Sequence, residues 1–333
     1  MTNAYDDGSE TAAPPAPDTV AAPEGAILGV AESYSAPSQH TPHVQHAPPR
    51  PRPLPDTSRR VLVMGIVNRT TDSFFDEGRT FALEKAVEAG RTAAAAGADL
   101  VDVGGVKFAP GEALPVAEEI ERVVPVVAAL RAELPADVLL SVDTFHAEVA
   151  REAIAVGADL INDTTGLSDP RMCEVVARTG ASLVITHSLA APRQPYPHPQ
   201  YDDVVEEVRD FLAARLERAL EAGVPRERIL LDPGPDLNKN TLQTLEILRE
   251  WREYTGMGLP VLAALSRKDV IGETLGLPKE ERLEGSLAAA AWVIARGARI
   301  LRVHDVAESV RLVRMLEVLA GWREPAGPLV HNV

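Results

Sequence analysis

The chain has one cysteine, Cys173, in 333 residues. A disulfide scaffold and a cysteine-rich zinc site are therefore both excluded. The simplest reading of Cys173 is a small buried apolar side chain in a reducing compartment. No apolar run approaches the roughly 18 residues of a membrane span. The N-terminal stretch carries Asp6, Asp7 and Glu10 and lacks the basic-then-apolar pattern of a secretory signal. The expectation is a cytoplasmic protein. Basic residues are scarce beside acidic ones: Lys+Arg 33 against Asp+Glu 49, a net charge of -16. That balance argues against nucleic acid or an anionic membrane as partner and leaves room for a local basic pocket. The motifs H-E-x-x-H, Walker A and G-x-S-x-G are missing, and nothing near Cys173 would activate it. Hydrolysis through a nucleophilic triad is disfavoured.

What is present is ample core material. The chain is 45% hydrophobic and 25% charged, with a mean hydropathy of -0.05. This suits one large α/β domain with an added tail. Residues 1–57 are dense in Pro, Ala, Ser and His and offer few side chains to bury. Such a segment cannot offset the entropy of ordering and is expected to be disordered, with polyproline II character near its end. His40, His43 and His46 recur every three residues, and a solvated tail explains them better than a metal tract. Pro48-Pro49-Arg50-Pro51-Arg52-Pro53 reads as a linker rather than a docking motif. Residues 58–322 form the expected domain, and 323–333 a C-terminal tail.

From residue 59 onward, near-continuous apolar runs alternate with helical patterns. The runs cover 61–68, 99–105, 139–145, 159–166, 182–188, 229–234, 260–266 and 299–305. Runs that do not alternate polar with apolar mark parallel strands buried on both faces. Segments 82–96, 116–134, 201–222 and 279–296 carry apolar residues at helical spacing. Gly97, Gly157, Gly180, Gly223 and Gly297 each precede a strand, as a helix-ending glycine should. Eight βα units predict a TIM (β/α)8 barrel. The competing doubly wound sheet would carry G-x-G-x-x-G after its first strand, and the chain has Asn68-Arg69-Thr70-Thr71-Asp72 there.

In such a barrel the C-terminal ends of the strands face one common site. Those ends read Asn68; Asp102 with Gly104-Gly105; Asp143-Thr144; Asn162-Asp163; Thr186-His187-Ser188; Asp232-Pro233-Gly234; Ser266-Arg267-Lys268; and Arg302 with His304-Asp305. Any one of them has a structural explanation. An Asp after a strand is often only a helix cap, Arg302 or His304 could pair with Asp305, and Asp102 could serve backbone groups. Eight polar ends together are harder to explain by structure alone. Lys268, Arg302 and His304 gather on the last two strands, the usual phosphate corner of this fold, with carboxylates Asp143 and Asp232 across the barrel.

At this point the residues resemble the dihydropteroate synthase family over about 61–320. Met64-Gly65-Ile66-Val67-Asn68 followed by Asp72-Ser73-Phe74 is similar to that family's opening signature. Val142-Asp143-Thr144, Ile161-Asn162-Asp163, Leu231-Asp232-Pro233-Gly234, Leu265-Ser266-Arg267-Lys268, Gly285-Ser286-Leu287-Ala288 and Arg302-Val303-His304-Asp305 are similar to its later ones. The resemblance implies joining a hydroxymethyl-dihydropterin pyrophosphate to p-aminobenzoate with loss of pyrophosphate. It implies that Asp232, Asn162 and Lys268 bind the pterin ring, and that Asp143 faces the ring and stabilises developing positive charge. Arg302 and His304 would hold the diphosphate. Asp143, Lys268 and Arg302 would be the catalytic set, and Asn68 would place a magnesium ion. It also implies a homodimer through barrel helices, for which Leu283, Leu287, Ala291 and Trp292 are candidates.

The resemblance is selective. The family's Gly-Gly-Glu-Ser-Thr-Arg-Pro-Gly loop is here Gly104-Gly105-Val106-Lys107-Phe108-Ala109-Pro110-Gly111. Its Val-Thr-Pro-Asp is Arg69-Thr70-Thr71-Asp72, its Gly-Phe-Gly-Lys is Asp236-Leu237-Asn238-Lys239, and its Met-His-Met is Thr186-His187-Ser188. Lys107 or Arg69 offers a cation in place of the missing arginine, but neither matches its position. Three readings follow: a synthase with an altered acceptor site, a catalytically inactive paralogue that holds pterins, and, more weakly, a folate-dependent methyltransferase.

Overall fold

Each strand owes its place to an inward Leu, Ile, Met or Val that meets its counterparts along the barrel axis. The computed structural model describes residues 50–68, 76–106, 110–191, 193–196 and 198–331, with the side chains of 76–81 excepted. The expectations for Arg69, Thr70, Thr71, Asp72-Ser73-Phe74, Lys107, Phe108, Ala109 and the histidines of the tail lie outside the described residues. The chain runs β1 (Leu62–Asn68), α1 (Asp76–Ala95), β2 (Leu100–Gly104), α2 (Val116–Glu133), β3 (Leu139–Asp143), α3 (Ala147–Ala155), β4 (Leu160–Asp163) and α4 (Met172–Thr179). It continues with β5 (Ser182–Thr186), α5 (Val204–Glu221), β6 (Ile229–Asp232), α6 (Thr241–Arg249), α7 (Arg252–Thr255), β7 (Leu262–Ala263), α8 (Asp269–Leu275), α9 (Leu283–Ile294), β8 (Ile300–Val303) and α10 (Val306–Leu319).

All strand pairs are parallel, in the order β6-β5-β4-β3-β2-β1-β8-β7. A bridge from Leu231 to Val261 brings the two edges together, so the sheet is a nearly closed barrel. The strands are shorter than the apolar runs, most of all β7, because the flanking residues bend into the loops that carry the site. The glycines expected at the helix-to-strand joints all have left-handed backbone, from φ 76 at Gly180 to 118 at Gly157. A β-carbon there would be strained, and this conformation turns each helix end back into the sheet.

Two apolar layers follow from the strand period of two. Inside the barrel, Leu62, Met64, Leu100, Leu139, Leu160, Val184, Leu230, Leu262 and Ile300 form a dry floor. Outside, Val61, Val63, Val101, Val103, Leu140, Val142 and their neighbours pack under the helices. Fully burying one such side chain contributes about 1.5–3 kcal/mol. Two residues further along each strand the inward side chains turn polar: Asp102, Ser141, Asn162, Asp232 and Arg302. The barrel is therefore apolar at its base and chemical at its C-terminal end. Among the described residues, no helix is long and apolar enough to cross a membrane.

The base is closed by a segment that composition assigned to the tail. Leu54 packs against the inner floor. Arg52 donates from its backbone N and its Nε to Asp159 Oδ1, each at 2.9 Å, and from Nη2 to the Val138 carbonyl at 2.9 Å. Arg228 donates to the Arg52 carbonyl at 2.9 Å. Asp159 also accepts from the Leu140 N–H at 2.9 Å. One arginine in a proline-rich tract gives composition nothing to register, yet it places residues 50–57 on the barrel. Replacing Arg52 by Ala is expected to lower the unfolding free energy by about 2 kcal/mol, the scale of hydrogen bonds to a charged group. The check is a fall in the urea midpoint with an unchanged slope; an unchanged midpoint would mean that Arg52 is dispensable.

Candidate active site

Arg302, at the C-terminal end of β8, projects into the barrel between two carboxylates. Its Nε donates to Asp102 Oδ2 at 2.6 Å and its Nη2 to Asp143 Oδ2 at 2.8 Å. Asp102 is fully buried and also accepts from Ser141 Oγ and, at 3.3 Å, from Asn162 Nδ2. Strands β2, β3, β4 and β8 are thus tied together at one level by a single polar ring. Burial pushes the Asp143 carboxyl up to about 7, and Asp102 adds to this while Arg302 opposes it. The two carboxylates hold the Arg302 guanidinium firmly in its charged form, against the effect of burial.

The other side of the ring carries Asp232 and Lys268. Asp232 Oδ1 accepts from the Gly234 N–H at 2.8 Å, and Lys268 Nζ donates to the Pro235 carbonyl at 2.6 Å. Burial raises Asp232 and lowers Lys268, while their mutual attraction acts against both shifts. Asn162 Oδ1 and Thr186 Oγ1 are buried without a hydrogen-bond partner among the described residues. An unmet buried polar atom costs about 1–3 kcal/mol, so such atoms at strand ends are suited to a ligand with donors and acceptors along one edge. Asp163, beside Asn162, faces away and accepts from the Thr165 N–H at 2.8 Å.

Next to the ring lies a cavity of about 300 Å³, lined by Arg302, His304, Ser266, Arg267, Lys268, Lys279, Arg282, Asp236 and Asp269. His304 Nδ1 lies 3.2 Å from Ser266 Oγ, and burial followed by the nearby Arg302 lowers its pKa. Arg267 has a left-handed φ of 57 and grips Asp305 with two bonds of 2.8 Å. Such strain in a residue other than glycine is typical of functional loops. A larger cavity of about 560 Å³ opens at the opposite end, beside Arg252, Arg299 and Trp322. It holds none of the polar ring, and active sites of this fold sit at the C-terminal end.

The loop after β6 differs most in character from a glycine-rich turn. Asp236 and Asn238 have φ values of 61 and 52. Aspartate and asparagine tolerate that region better than other side chains. Asn238 Oδ1 accepts from Ser188 Oγ at 2.8 Å and from the N–H groups of Leu189 and Ala190 at 2.8 and 3.0 Å. Tyr201 donates to the Asn238 carbonyl at 2.8 Å. Asp236 Oδ2 accepts from the Val270 N–H at 3.0 Å, at the start of α8. Beneath them Lys239 Nζ is buried within 2.8 Å of His187 Nδ1 and donates to the Gly234 carbonyl at 3.0 Å and the Leu237 carbonyl at 3.1 Å. Burial brings Lys239 down to about 7, and burial followed by Lys239 brings His187 down to about 2.

The structure brings Asp143, Asn162, Asp232, Lys268, Arg302 and His304 to one end of the barrel. Asn68 ends β1 on the same rim. A β-carbon built at Gly104 would lie 3.6 Å from Asn68 Oδ1 and 3.9 Å from Asp143 Oδ2, so the two side chains flank one point. Sequence reasoning counted Asp102, the hub of the ring, among the polar strand ends but gave it no role in the site, although the strand period had set it facing Arg302. It named Thr186 and Lys239 within their segments without assigning them a role, and it did not single out Lys279 as a site residue.

Comparison with known proteins agrees with this arrangement. The profile of the pterin binding enzymes matches residues 64–304. The protein named inactive dihydropteroate synthase 2 of Mycobacterium tuberculosis is 49% identical over 276 residues, covering 81% of this chain and 86% of its own. The dihydropteroate synthase of Escherichia coli K12 is 41% identical over 263 residues, covering 79% and 93%. The solved Xanthomonas albilineans dihydropteroate synthase with 4-aminobenzoic acid is 42% identical, covers 81% of this chain and 94% of its own, and superposes with a TM-score of 0.72. The chain belongs to the pterin-binding enzyme family, on its dihydropteroate synthase branch.

Proposed function

We propose that this chain binds a pterin diphosphate across the polar ring and the adjoining cavity, and that its transfer to p-aminobenzoate is largely lost. The observation that carries this reading is the contrast within one site. The ring built on Arg302, Asp102, Asp143 and Asn162 is complete, whereas the β6 loop is rebuilt and clamped through Asn238 and Asp236. The 49% identical relative is itself named as inactive.

In this reading the free oxygen of Asp232 accepts from the pterin amino group and ring N–H. Asn162 Oδ1 and Lys268 meet the ring's other polar edge. Arg302 and His304 hold the diphosphate. The bond between the pterin methylene carbon and the diphosphate oxygen breaks, and the ring carries the positive charge that develops. The carboxylate of Asp143 stabilises that charge, and fixed groups need no reorganisation to do so. An acceptor amine would then form the new carbon–nitrogen bond and release a proton.

A magnesium ion would fit this site with diphosphate oxygens among its ligands. The described residues hold no cluster of three or more His, Cys, Asp or Glu that could bind a metal. Magnesium needs no such cage: it keeps waters and phosphate oxygens and takes one or two protein oxygens. Asn68 Oδ1, on the rim near Asp143, would supply one. The ion would neutralise charge on the leaving diphosphate. A second copy of the chain is the proposed macromolecular partner. Trp292 of α9 and Met315 and Leu319 of α10 are large exposed apolar residues on adjoining helices, which suits a homodimer contact.

Three outcomes are expected. With magnesium, the pterin pyrophosphate and p-aminobenzoate, dihydropteroate measured by mass spectrometry should form at least about a hundredfold more slowly than with an authentic synthase, the scale of one lost charged contact or more. Turnover near the control would sink the proposal of a lost acceptor site. Asp232→Asn should weaken pterin binding about tenfold to a hundredfold by calorimetry, with the melting temperature nearly kept. Equal affinity would remove Asp232 from the ring contact. Finally, Asp143 titrates near 7 in the folded protein and near 3.8 when unfolded. Between those values the native state holds a proton that the unfolded chain has lost, so stability falls as pH rises. The unfolding free energy of wild type should drop more between pH 5 and 8 than that of Asp143→Asn. Parallel profiles would show that Asp143 is ionised throughout.

A further inference from the structure

The cations around the 300 Å³ cavity are mostly committed to partners. Arg302 lies between Asp102 and Asp143. Arg267 grips Asp305 with both arms, and Arg282 pairs with Asp269 at 2.9 Å. Lys268 donates to the Pro235 carbonyl and lies in the field of Asp236 and Asp232. The carboxylates of Asp236 and Asp269 line the same cavity. Attraction for a dianionic group is therefore much weaker than the tally of basic residues suggests.

Lys279 is different. It is exposed, and its side chain makes no hydrogen bond or ion pair among the described residues. Its backbone is nevertheless fixed. It opens a 3-10 turn (Lys279–Glu281) after Pro278, and Arg267 Nη1 donates to the carbonyls of Lys279 at 3.1 Å and Glu280 at 2.8 Å. Arg267 is itself held by Asp305, so the anchoring runs from the end of β8 to the rim of the cavity. An anchored Cα with an uncommitted ammonium is well suited to closing on an anion, because no existing pair must be broken.

We infer that Lys279 is a specificity-determining residue that gives this cavity much of its affinity for the outer phosphate of a diphosphate. The inference rests on the reading of the site proposed above. It also supplies a cation from a different loop where the family's arginine is replaced by Ala109. Lys279 acts on the phosphate end alone, because the pterin edge is read from the barrel interior.

The test is calorimetry on the full chain with inorganic pyrophosphate and magnesium, and separately with a hydroxymethylpterin that lacks phosphate. Wild type should bind both. Lys279→Ala should lose about tenfold in pyrophosphate affinity, Lys279→Arg should stay near wild type, and neither should change pterin binding. Unchanged pyrophosphate affinity in Lys279→Ala overturns the inference, and so does an equal loss for the pterin. Wild type that binds the pterin but no pyrophosphate also overturns it. Wild type that binds neither would instead overturn the underlying assignment of the site.

Discussion

The site depends on one buried guanidinium shared by two carboxylates. Arg302 holds Asp102 and Asp143 on neighbouring strands, and Asp102 in turn holds Ser141 and Asn162. Burying these charges is unfavourable in itself, and an apolar layer of the same volume would be no less stable. Removing one partner from such a set leaves an uncompensated charge and costs about 3–5 kcal/mol. The arrangement therefore adds little to stability and much to geometry. It fixes the direction of every side chain at the mouth of the barrel, as a site that stabilises developing charge requires.

Two kinds of support hold this mouth, and they differ in how freely they can change. The side proposed to hold the pterin is built on strand ends, where the inward position is set by the sheet and by an apolar floor beneath. A substitution there disturbs four strands together. The side proposed to face the acceptor is built on loops, which need only satisfy their own backbone groups. The β6 loop shows how far such a rewrite can go without altering the fold. Asp236 and Asn238 hold a left-handed backbone that glycine adopts without strain, and their side chains add bonds that glycine lacks. The loop gains ties to its neighbours, and any motion it needs to admit a second substrate becomes more costly.

Much of this was legible in the sequence because the barrel is regular. Continuous apolar runs marked the strands, glycines before five of the eight runs marked the joints, and the polar residues ending the runs marked the polar mouth of the barrel. Asp102 went unrecognised as the hub because its role depends on residues 39, 60 and 200 positions away. Arg52 was hidden for the same reason, since Asp159 lies 107 residues further on. The expected helix over 279–296 is two elements. Pro278 starts a short turn, and Arg282 leaves the helical path to bond the carbonyls of Leu277, Arg267 and Lys268. Periodicity registers a face but not an arginine folded back under a loop.

That folded-back loop links the two halves of the argument. Arg282 and Arg267 are basic residues in the cavity proposed to take the diphosphate, yet both act largely as scaffolding: one ties the α8 entrance together, the other supports the turn that carries Lys279. Charge counting would class all of them as anion binders. Hydrogen-bond accounting separates those already committed from those free to meet a ligand, since an ion pair must be broken before its members can bind elsewhere. In the proposed reading, the function of this surface then turns on few groups: His304, the Nη1 arm that the two carboxylates leave to Arg302, and a lysine held at the rim by the scaffold around it.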